Sequence, residues 1–528
     1  MECRPIGSAD RARKAGRIVP IALFCAILGL ALALRLHGLG AKPLWLDEVF
    51  TQKRSALSVH GLILDSLRNR HSPLFFLIEH VMLGFGSGAA TLRLVAAFTG
   101  AFCAALVFAI GREAGLKTGA VLAGLMAALA PLQVGFGQEA RSYTLMLVLI
   151  LVALWGLVRM AATPERVRRP WLDRAGLPGA WAAYGLGTAG ALWVLGDAVP
   201  WLIAANVAML AVILPRIEGR GGFLVRWIAV QAAIVVIAGP VYLAMVRAVH
   251  AEVIGGFLWI SPLTPGFLWT DAASLYGLSD ATMVSMRLLP GPVPYLAPVA
   301  IALGGLGFFV LRRAPGPRAV LLIAAAGLPV VLSLVSLVHP VLLPRYLLWS
   351  AAPFFVISGA AVEALPRAVR PAALGVAAMV LTVNLFPYYR AETKPRWDLA
   401  ASFLTNRSKP GDAVLVADGA APVMLRAYSG STQHFVTTRQ VARAAEALAN
   451  GGRVFAIYGP AGQGKLPSES AFFANAAALG VAGARQAIGQ EITIEEIDPR
   501  GRGGLVACGG AGGGEPADPR QCPPGVRS

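Results

Sequence analysis

Eleven stretches of this chain run for 17 residues or more without a charged side chain: 18–34, 94–111, 118–138, 142–158, 175–196, 198–215, 227–246, 288–311, 319–344, 346–362 and 371–389. Each is close to the length a helix needs to cross ~30 Å of hydrocarbon. In lipid a spanning segment must satisfy its own backbone hydrogen bonds, so these runs are expected as helices. Hydrophobic residues make up 56% of the chain and charged ones 14%, far from the balance of a soluble domain. The fold class expected is an all-α polytopic membrane protein with about eleven transmembrane helices. A twelfth run, 253–270, carries Ser261-Pro262 and Thr264-Pro265 at its middle. These prolines would break a helix where no water could satisfy the freed groups, so the run reads as interfacial.

A net charge of +18 invites a nucleic-acid partner, but the placement of the basic residues excludes it. Arg4, Arg11, Arg13, Lys14 and Arg17 precede the first run, Arg112 and Lys117 follow the second, and five arginines from Arg159 to Arg174 follow the fourth. The pattern resumes at Arg216–Arg226, Arg312–Arg318 and Arg367–Arg370. These are alternate loops, and lysine and arginine accumulate on the cytoplasmic side of membrane proteins. The expected topology has residues 1–17 as a cytoplasmic tail, the first run as a retained anchor, an odd number of spans, and everything beyond about residue 390 outside.

The outer loop 39–92 has no clean span. Residues 55–67 read as an amphipathic helix in the headgroup plane, and His71-Ser72-Pro73 opens a second helix, with Ser72 as its cap. The apolar run that follows is interrupted by Glu79-His80, so it reads as juxtamembrane. Residues 391–507 alternate helical stretches, Trp397–Thr405 and Gln440–Ala449, with strand-like runs, Ala413–Ala417 and Arg453–Tyr458, as a small α/β domain would. Residues 508–528 are Gly/Pro-rich and expected to be disordered, with a Cys508–Cys522 disulfide left open. Gly459-Pro-Ala-Gly-Gln-Gly464-Lys465 resembles a phosphate-binding loop. Leu466 stands where the magnesium-binding hydroxyl belongs, Pro467 opposes the helix, and the loop faces outward, so it reads as a surface turn.

The candidate site is Leu44-Trp45-Leu46-Asp47-Glu48, just beyond the first span. An ionised pair costs several kcal/mol in hydrocarbon, so these carboxylates belong in a watery or interfacial pocket. The third span returns Gln138, Glu139, Arg141 and Tyr143 to the same face, and His71, Arg345 and Tyr346 also fall there. Taken singly, Asp47-Glu48 could be a solvated pair, Glu139 and Arg141 a local ion pair, His71 a helix-start residue, and Arg345-Tyr346 an interfacial anchor. Their convergence on one side of so apolar a chain favours an active site.

Trp-Leu-Asp-Glu after the first span, His-Ser-Pro-Leu at 71–74, Arg93-Leu94 opening the second span and Gln-Glu-Ala-Arg-Ser-Tyr at 138–143 together resemble the GT-C membrane glycosyltransferases. The resemblance is to the group that includes protein O-mannosyltransferases, aminoarabinose lipid A transferases and lipopolysaccharide-core galacturonosyltransferases. Pro344-Arg345-Tyr346 and Lys394-Pro-Arg-Trp397-Asp are later echoes. It implies a bacterial inner-membrane enzyme whose C-terminal domain is periplasmic. Its donor would be a polyprenyl-phosphate sugar and its acceptor a hydroxyl of a lipid, glycan or protein. Asp47 would be the general base, and Arg141 and Arg345 would neutralise the departing lipid phosphate, with His71, Gln138, Tyr143 and Tyr346 as further substrate contacts. Glu48 and Glu139 could orient the acceptor, stabilise positive charge on the sugar ring, or join Asp47 around a divalent metal ion; the sequence leaves these open. The lipid A enzymes carry a Glu-Lys-Pro-type element where this chain has His71-Ser72-Pro73, which implies a different donor or acceptor. The rival reading is a secondary transporter or lipid-linked glycan flippase, which would place ionisable groups and broken helices near mid-membrane.

Overall fold

The structure is a computed structural model and describes residues 6–162, 177–217, 220–248, 262–276, 278, 280–281, 288–289, 293, 295–430, 434–437, 441–462 and 466–499. The first residues of the basic tail, residues 253–261 of the proposed interfacial run, Lys465, and the Gly/Pro-rich end with Cys508 and Cys522 lie outside the described residues.

Helix α1 (Ile6–Leu36) leads into three short helices, α2 (Leu46–Ser55), α3 (Val59–Arg68) and α4 (Leu74–Leu83). Helices α5 (Ala89–Glu113), α6 (Thr118–Leu129), α7 (Pro131–Gly137), α8 (Tyr143–Ala162), α9 (Leu177–Val194) and α10 (Val199–Val207) follow, the last running on to Arg216 through a π and a 3-10 turn. After α11 (Arg220–Ala248) come the short α12 (Pro265–Leu275), a two-stranded ribbon of β1 (Asp280–Ala281) and β2 (Leu288–Leu289), and α13 (Leu296–Val310), α14 (Pro315–Ser336), α15 (Leu348–Gly359) and α16 (Arg370–Arg390). Among the described residues nine helices are long and apolar enough to cross a membrane, or ten if the bent pair α6–α7 is one span. Each of the eleven runs contains helix, the 288–311 run only from Leu296 after strand β2, yet the count falls short of eleven for two reasons. The 118–138 run is broken, and α9, diluted by Gly179, Gly185, Gly187 and Gly190, is not among the nine. Helix α4, ten residues long, spans only about 15 Å, too little to cross.

The break has a chemical cause. Pro131 donates no N–H and bends α6 against α7 by 58°. The buried Arg35 guanidinium answers it by donating to the carbonyls of Ala127, Ala128 and Gln133, each at 3.3 Å. Its stem passes Gly137, where an added Cβ would stand 2.7 Å from Arg35 Cδ. Glycine also sets the approach of α8 and α9: a Cβ on Gly156 would lie 2.5 Å from the Ala180 carbonyl oxygen, and one on Gly187 2.5 Å from that of Leu149. With no hydrophobic force between helices in lipid, such close backbone contact is what holds the pair.

The two ends of the bundle differ in chemistry. At one end the Glu363 carboxylate accepts the N–H groups of Lys117 (2.8 Å) and Gly119 (3.0 Å) and pairs with Arg370, while Arg159 meets Glu113 at 3.4 Å. The basic loops 112–119, 159 and 363–370 thus share that end. The opposite end carries the 37–47 segment, α2–α4 and the loop 138–142. Here Ser58 caps α3 through Gly61 N–H (3.3 Å), but the expected Ser72 cap of α4 is absent. Pro73 occupies the N-cap position, and the Ser72 hydroxyl instead donates to Leu192 O at 3.2 Å.

Beyond α16, α17 (Trp397–Arg407), α18 (Ala421–Ser429), α19 (Val441–Ala449) and α20 (Glu469–Ala477) pack on a sheet of β3 (Ala413–Val416), β4 (His434–Thr437), β5 (Val454–Tyr458), β6 (Val481–Ala482), β7 (Gln486–Ile488) and β8 (Ile492–Asp498). The order is β4-β3-β5-β8-β6, with β4, β3 and β5 parallel, β8 antiparallel to β5, and β7 paired to β8. Side chains alternate across the strands. Ala413, Leu415, Val454 and Ala456 pack on α19 and α20 through Ala444, Leu448, Phe472 and Phe473. Val414, Val416, Phe455 and Ile457 pack on Trp397, Leu404, Met424 and Leu425 of α17 and α18. This second layer continues without a break into Leu44, Val49, Leu92 and Ala140 at the end of the helical bundle.

Candidate active site

Asp47 and Glu48 occupy the first turn of α2, and neighbouring helical residues point about 100° apart. The turn therefore sends one acid into the core and leaves the other partly exposed. Glu48 is fully buried, and its carboxylate is saturated. Oε1 accepts Arg93 Nε–H (2.7 Å) and Ala140 N–H (2.9 Å), while Oε2 accepts Arg93 Nη2–H (2.8 Å), Lys394 Nζ–H (2.7 Å) and Trp45 N–H (3.2 Å). Burial alone would push this carboxyl up, but the Arg93 guanidinium and Lys394 ammonium hold it well below the usual range, so it stays ionised. Arg93 spends its remaining N–H groups on the carbonyls of Leu39, Lys42 and Pro43, each at 2.9 Å. Glu48 therefore offers no free lone pair to substrate or metal. The expectation that it contacts the acceptor or sugar is corrected: it ties α2, α5, the 138–142 loop and the 394 segment together.

Asp47 keeps a side-chain exposure of 24%, and its Oδ2 lies 3.8 Å from Arg141 Nη2 and 3.7 Å from Arg345 Nη1. Both guanidinium groups are within ion-pair reach yet beyond hydrogen-bond distance, so one partly exposed carboxylate stands near two cations. Arg345 comes from a 3-10 turn, Pro344–Leu347, which brings its guanidinium 5.2 Å above the Tyr346 ring. The Arg141 guanidinium lies 5.8 Å from the Tyr143 ring, and Tyr143 is itself wedged edge-on against Phe136. His71 also faces this group: burial, with the charges of Arg141 and Arg54, pushes its pKa down to about 3, which leaves the ring neutral. Asp47, His71, Arg141, Tyr143, Arg345 and Tyr346 are thus brought together as the sequence suggested.

Gln138 is not. Its Nε2 donates to Arg35 O (3.0 Å) and His37 O (2.7 Å), and its Oε1 accepts Tyr388 O–H (2.9 Å), so it clasps the end of α1 instead of facing substrate. Glu139 is buried with neither oxygen hydrogen-bonded, and burial, offset in part by Lys394 and reinforced by Glu48 and Asp47, pushes its carboxyl up to about 7. Among the described residues no three His, Cys, Asp or Glu side chains gather as metal ligands, so Asp47, Glu48 and Glu139 do not form the ligand set considered above. Sequence reasoning overlooked three side chains. In the sequence Arg93 and Lys394 stand only as motif letters; an arginine at the mouth of an apolar run is the available signal. Glu79 was read as an interruption of an apolar run, but it too is fully buried with both oxygens unpartnered, and burial with the nearby Glu48 pushes its carboxyl up to about 8.

The described part of the phosphate-loop-like turn, Gly459–Gly462, backs onto α2. The Asp418 carboxylate, at the end of β3, accepts the N–H groups of Ala461 (2.9 Å) and Gly462 (2.8 Å), so two amides that could cradle an anion already hold the chain's own. A Cβ on Gly462 would lie 3.4 Å from Leu46 Cδ2, which shows how closely the turn backs the residue before Asp47.

No protein-family model matches this chain, and no curated protein does. Among solved structures, ArnT from Cupriavidus metallidurans in the apo state matches with a TM-score of 0.54 at 14% identity, over 90% of this chain and 97% of that one. The same protein bound to undecaprenyl phosphate gives 0.53 at 15%, over 90% and 97%. The Archaeoglobus fulgidus oligosaccharyltransferase tethered to an acceptor peptide containing an NVT sequon gives 0.50 at 13%, over 84% of this chain and 69% of that one. These structures share the GT-C fold, and so does this chain.

Proposed function

We propose that this protein is a glycosyltransferase that moves a sugar from a polyprenyl-phosphate carrier to a hydroxyl of a lipid, glycan or protein acceptor at the outer face of a bacterial inner membrane. The observation that carries the reading is Asp47, a partly exposed carboxylate set 3.8 and 3.7 Å from Arg141 and Arg345 at the bundle end away from the basic loops. The solved GT-C neighbours, one bound to undecaprenyl phosphate, support a lipid-linked donor.

The chemistry follows from the charges. Asp47 takes the proton of the acceptor hydroxyl as its oxygen bonds to the anomeric carbon. The bond from that carbon to the phosphate oxygen breaks, and its electron pair leaves with the lipid phosphate. Arg141 and Arg345 stabilise that developing charge, planar forks suited to phosphate oxygens. Neutral His71 and the phenols of Tyr143 and Tyr346 offer uncharged polar contacts to sugar hydroxyls. Asp47, His71, Arg141 and Arg345 gather at one end of the bundle, as a surface-chemistry enzyme needs and a mid-membrane transport site does not. Under the positive-inside rule this end faces outward, with residues 391–507 as a periplasmic domain.

The test is sugar transfer by purified protein from a polyprenyl-phosphate sugar. Asp47→Asn should lower turnover by about 10²–10⁴-fold, the contribution of a positioned base, while lipid-phosphate binding and the unfolding temperature hold. Near-normal transfer by folded Asp47→Asn would remove Asp47 from this role.

A further inference from the structure

Three residues flanking Asp47 in the chain, Leu44, Leu46 and Glu48, are held from its far end. Tyr428 O–H donates to Leu44 O at 2.9 Å, Gly462 lies against Leu46, and Lys394 Nζ–H reaches Glu48 Oε2 at 2.7 Å. One turn earlier, Lys42 Nζ–H donates to Tyr388 O (2.7 Å) and Thr393 Oγ1 (2.9 Å). Leu44 and Val49 sit in the same apolar layer as Trp397, Met424 and Phe455. The sheet domain is therefore continuous with the catalytic turn in packing and in hydrogen bonding.

Lys394 is a costly choice for such a contact. A buried ammonium must be paired, and it is 6% exposed with Glu48 as its hydrogen-bonded partner. Glu48 does not need it for charge balance, because Arg93 already meets that carboxylate with two hydrogen bonds. What Lys394 adds is a third direction of restraint, from the C-terminal side, on the residue next to Asp47. We propose that Lys394 is a positioning residue, acting through Glu48 to set the orientation of Asp47, and that the domain beyond residue 390 thereby serves as the scaffold of the catalytic turn. This rests on the reading of Asp47 as the base of a glycosyl transfer.

A misplacement of about 1 Å costs on the order of 10²-fold in rate, so loss of one restraint should appear in turnover before it appears in binding. The experiment uses the full-length protein in lipid nanodiscs with a polyprenyl-phosphate sugar, reading kcat, KM for the donor, lipid-phosphate binding and unfolding temperature. Lys394→Met should lower kcat by about tenfold to a hundredfold, leave KM and lipid binding within about twofold, and keep the fold, since Glu48 retains four donors. Lys394→Arg, which keeps the charge and the donor, should restore most of kcat. Should Lys394→Met not fold, Tyr428→Phe, which deletes a single hydroxyl, carries the same test with a smaller fall in kcat at unchanged KM. Unchanged kcat in the folded variants would overturn the inference alone, as would a joint fall of kcat, lipid binding and stability that Lys394→Arg does not rescue. Wild-type protein that transfers no sugar would overturn the reading beneath it.

Discussion

Two adjacent acids take opposite fates because of what surrounds each carboxylate. Glu48 has five donors and no exposure, while Asp47 has two guanidinium groups just out of hydrogen-bond reach and an opening to solvent. A base needs that second environment, with a lone pair open to the acceptor hydroxyl. The two arginines should fail differently from Asp47: Arg141→Ala and Arg345→Ala should each weaken lipid-phosphate binding roughly tenfold or more, as loss of a charge-assisted contact does, measured by titration with polyprenyl phosphate. The unpartnered acids predict a pH dependence. Burial sets Glu79 at about 8 and Glu139 at about 7, above the ordinary 4.5, so the folded state holds these protons more tightly than the unfolded chain. That stability is complete below 4.5 and is lost as pH rises through 7 to 8. Unfolding scans across this window should show wild-type protein losing stability with rising pH, and Glu79→Gln, neutral throughout, losing less while matching wild type at the acid end.

Among the elements, the helix pair α8–α9 and the break at Pro131 show how backbone contact takes the place of hydrophobic force inside a membrane. Gly187→Ala would set a methyl 2.5 Å from Leu149 O and force the helices apart, whereas Gly179→Ala, on the same helix, meets nothing within 4 Å. The first should cost about 1–3 kcal/mol, seen as a lower unfolding temperature and poorer yield of folded protein, and the second should be neutral. Element starts were readable where a local signal existed. The strand at Ala413 and the helix at Trp397 begin where expected, because alternation and helical periodicity are local properties of the chain. Ser72 does not cap α4, because its hydroxyl finds Leu192 O, 120 positions away.

For the molecule as a whole, the segregation of its ends matters most. Glu363 gathers Lys117, Gly119 and Arg370 at one end, and Glu48 gathers Arg93, Ala140 and Lys394 at the other. If the basic end is cytoplasmic, reporters inserted at 163–176 and after Asp498 should lie on opposite sides of the membrane. Both reporters in the cytoplasm would dismantle the topology and, with it, the outward-facing site.

The sequence alone pointed to a helical membrane protein and to Asp47, Arg141 and Arg345 lying together. Those conclusions rest on run length, charge and composition, which the solvent reads locally. The tertiary structure decided which acid stays open to solvent, that Gln138 clasps α1, that Asp418 accepts the amides of Ala461 and Gly462, and that Lys394 closes the charge cluster from 346 residues away. No local pattern encodes these, because whether a buried charge or amide is satisfied depends on partners that only packing brings within 3 Å.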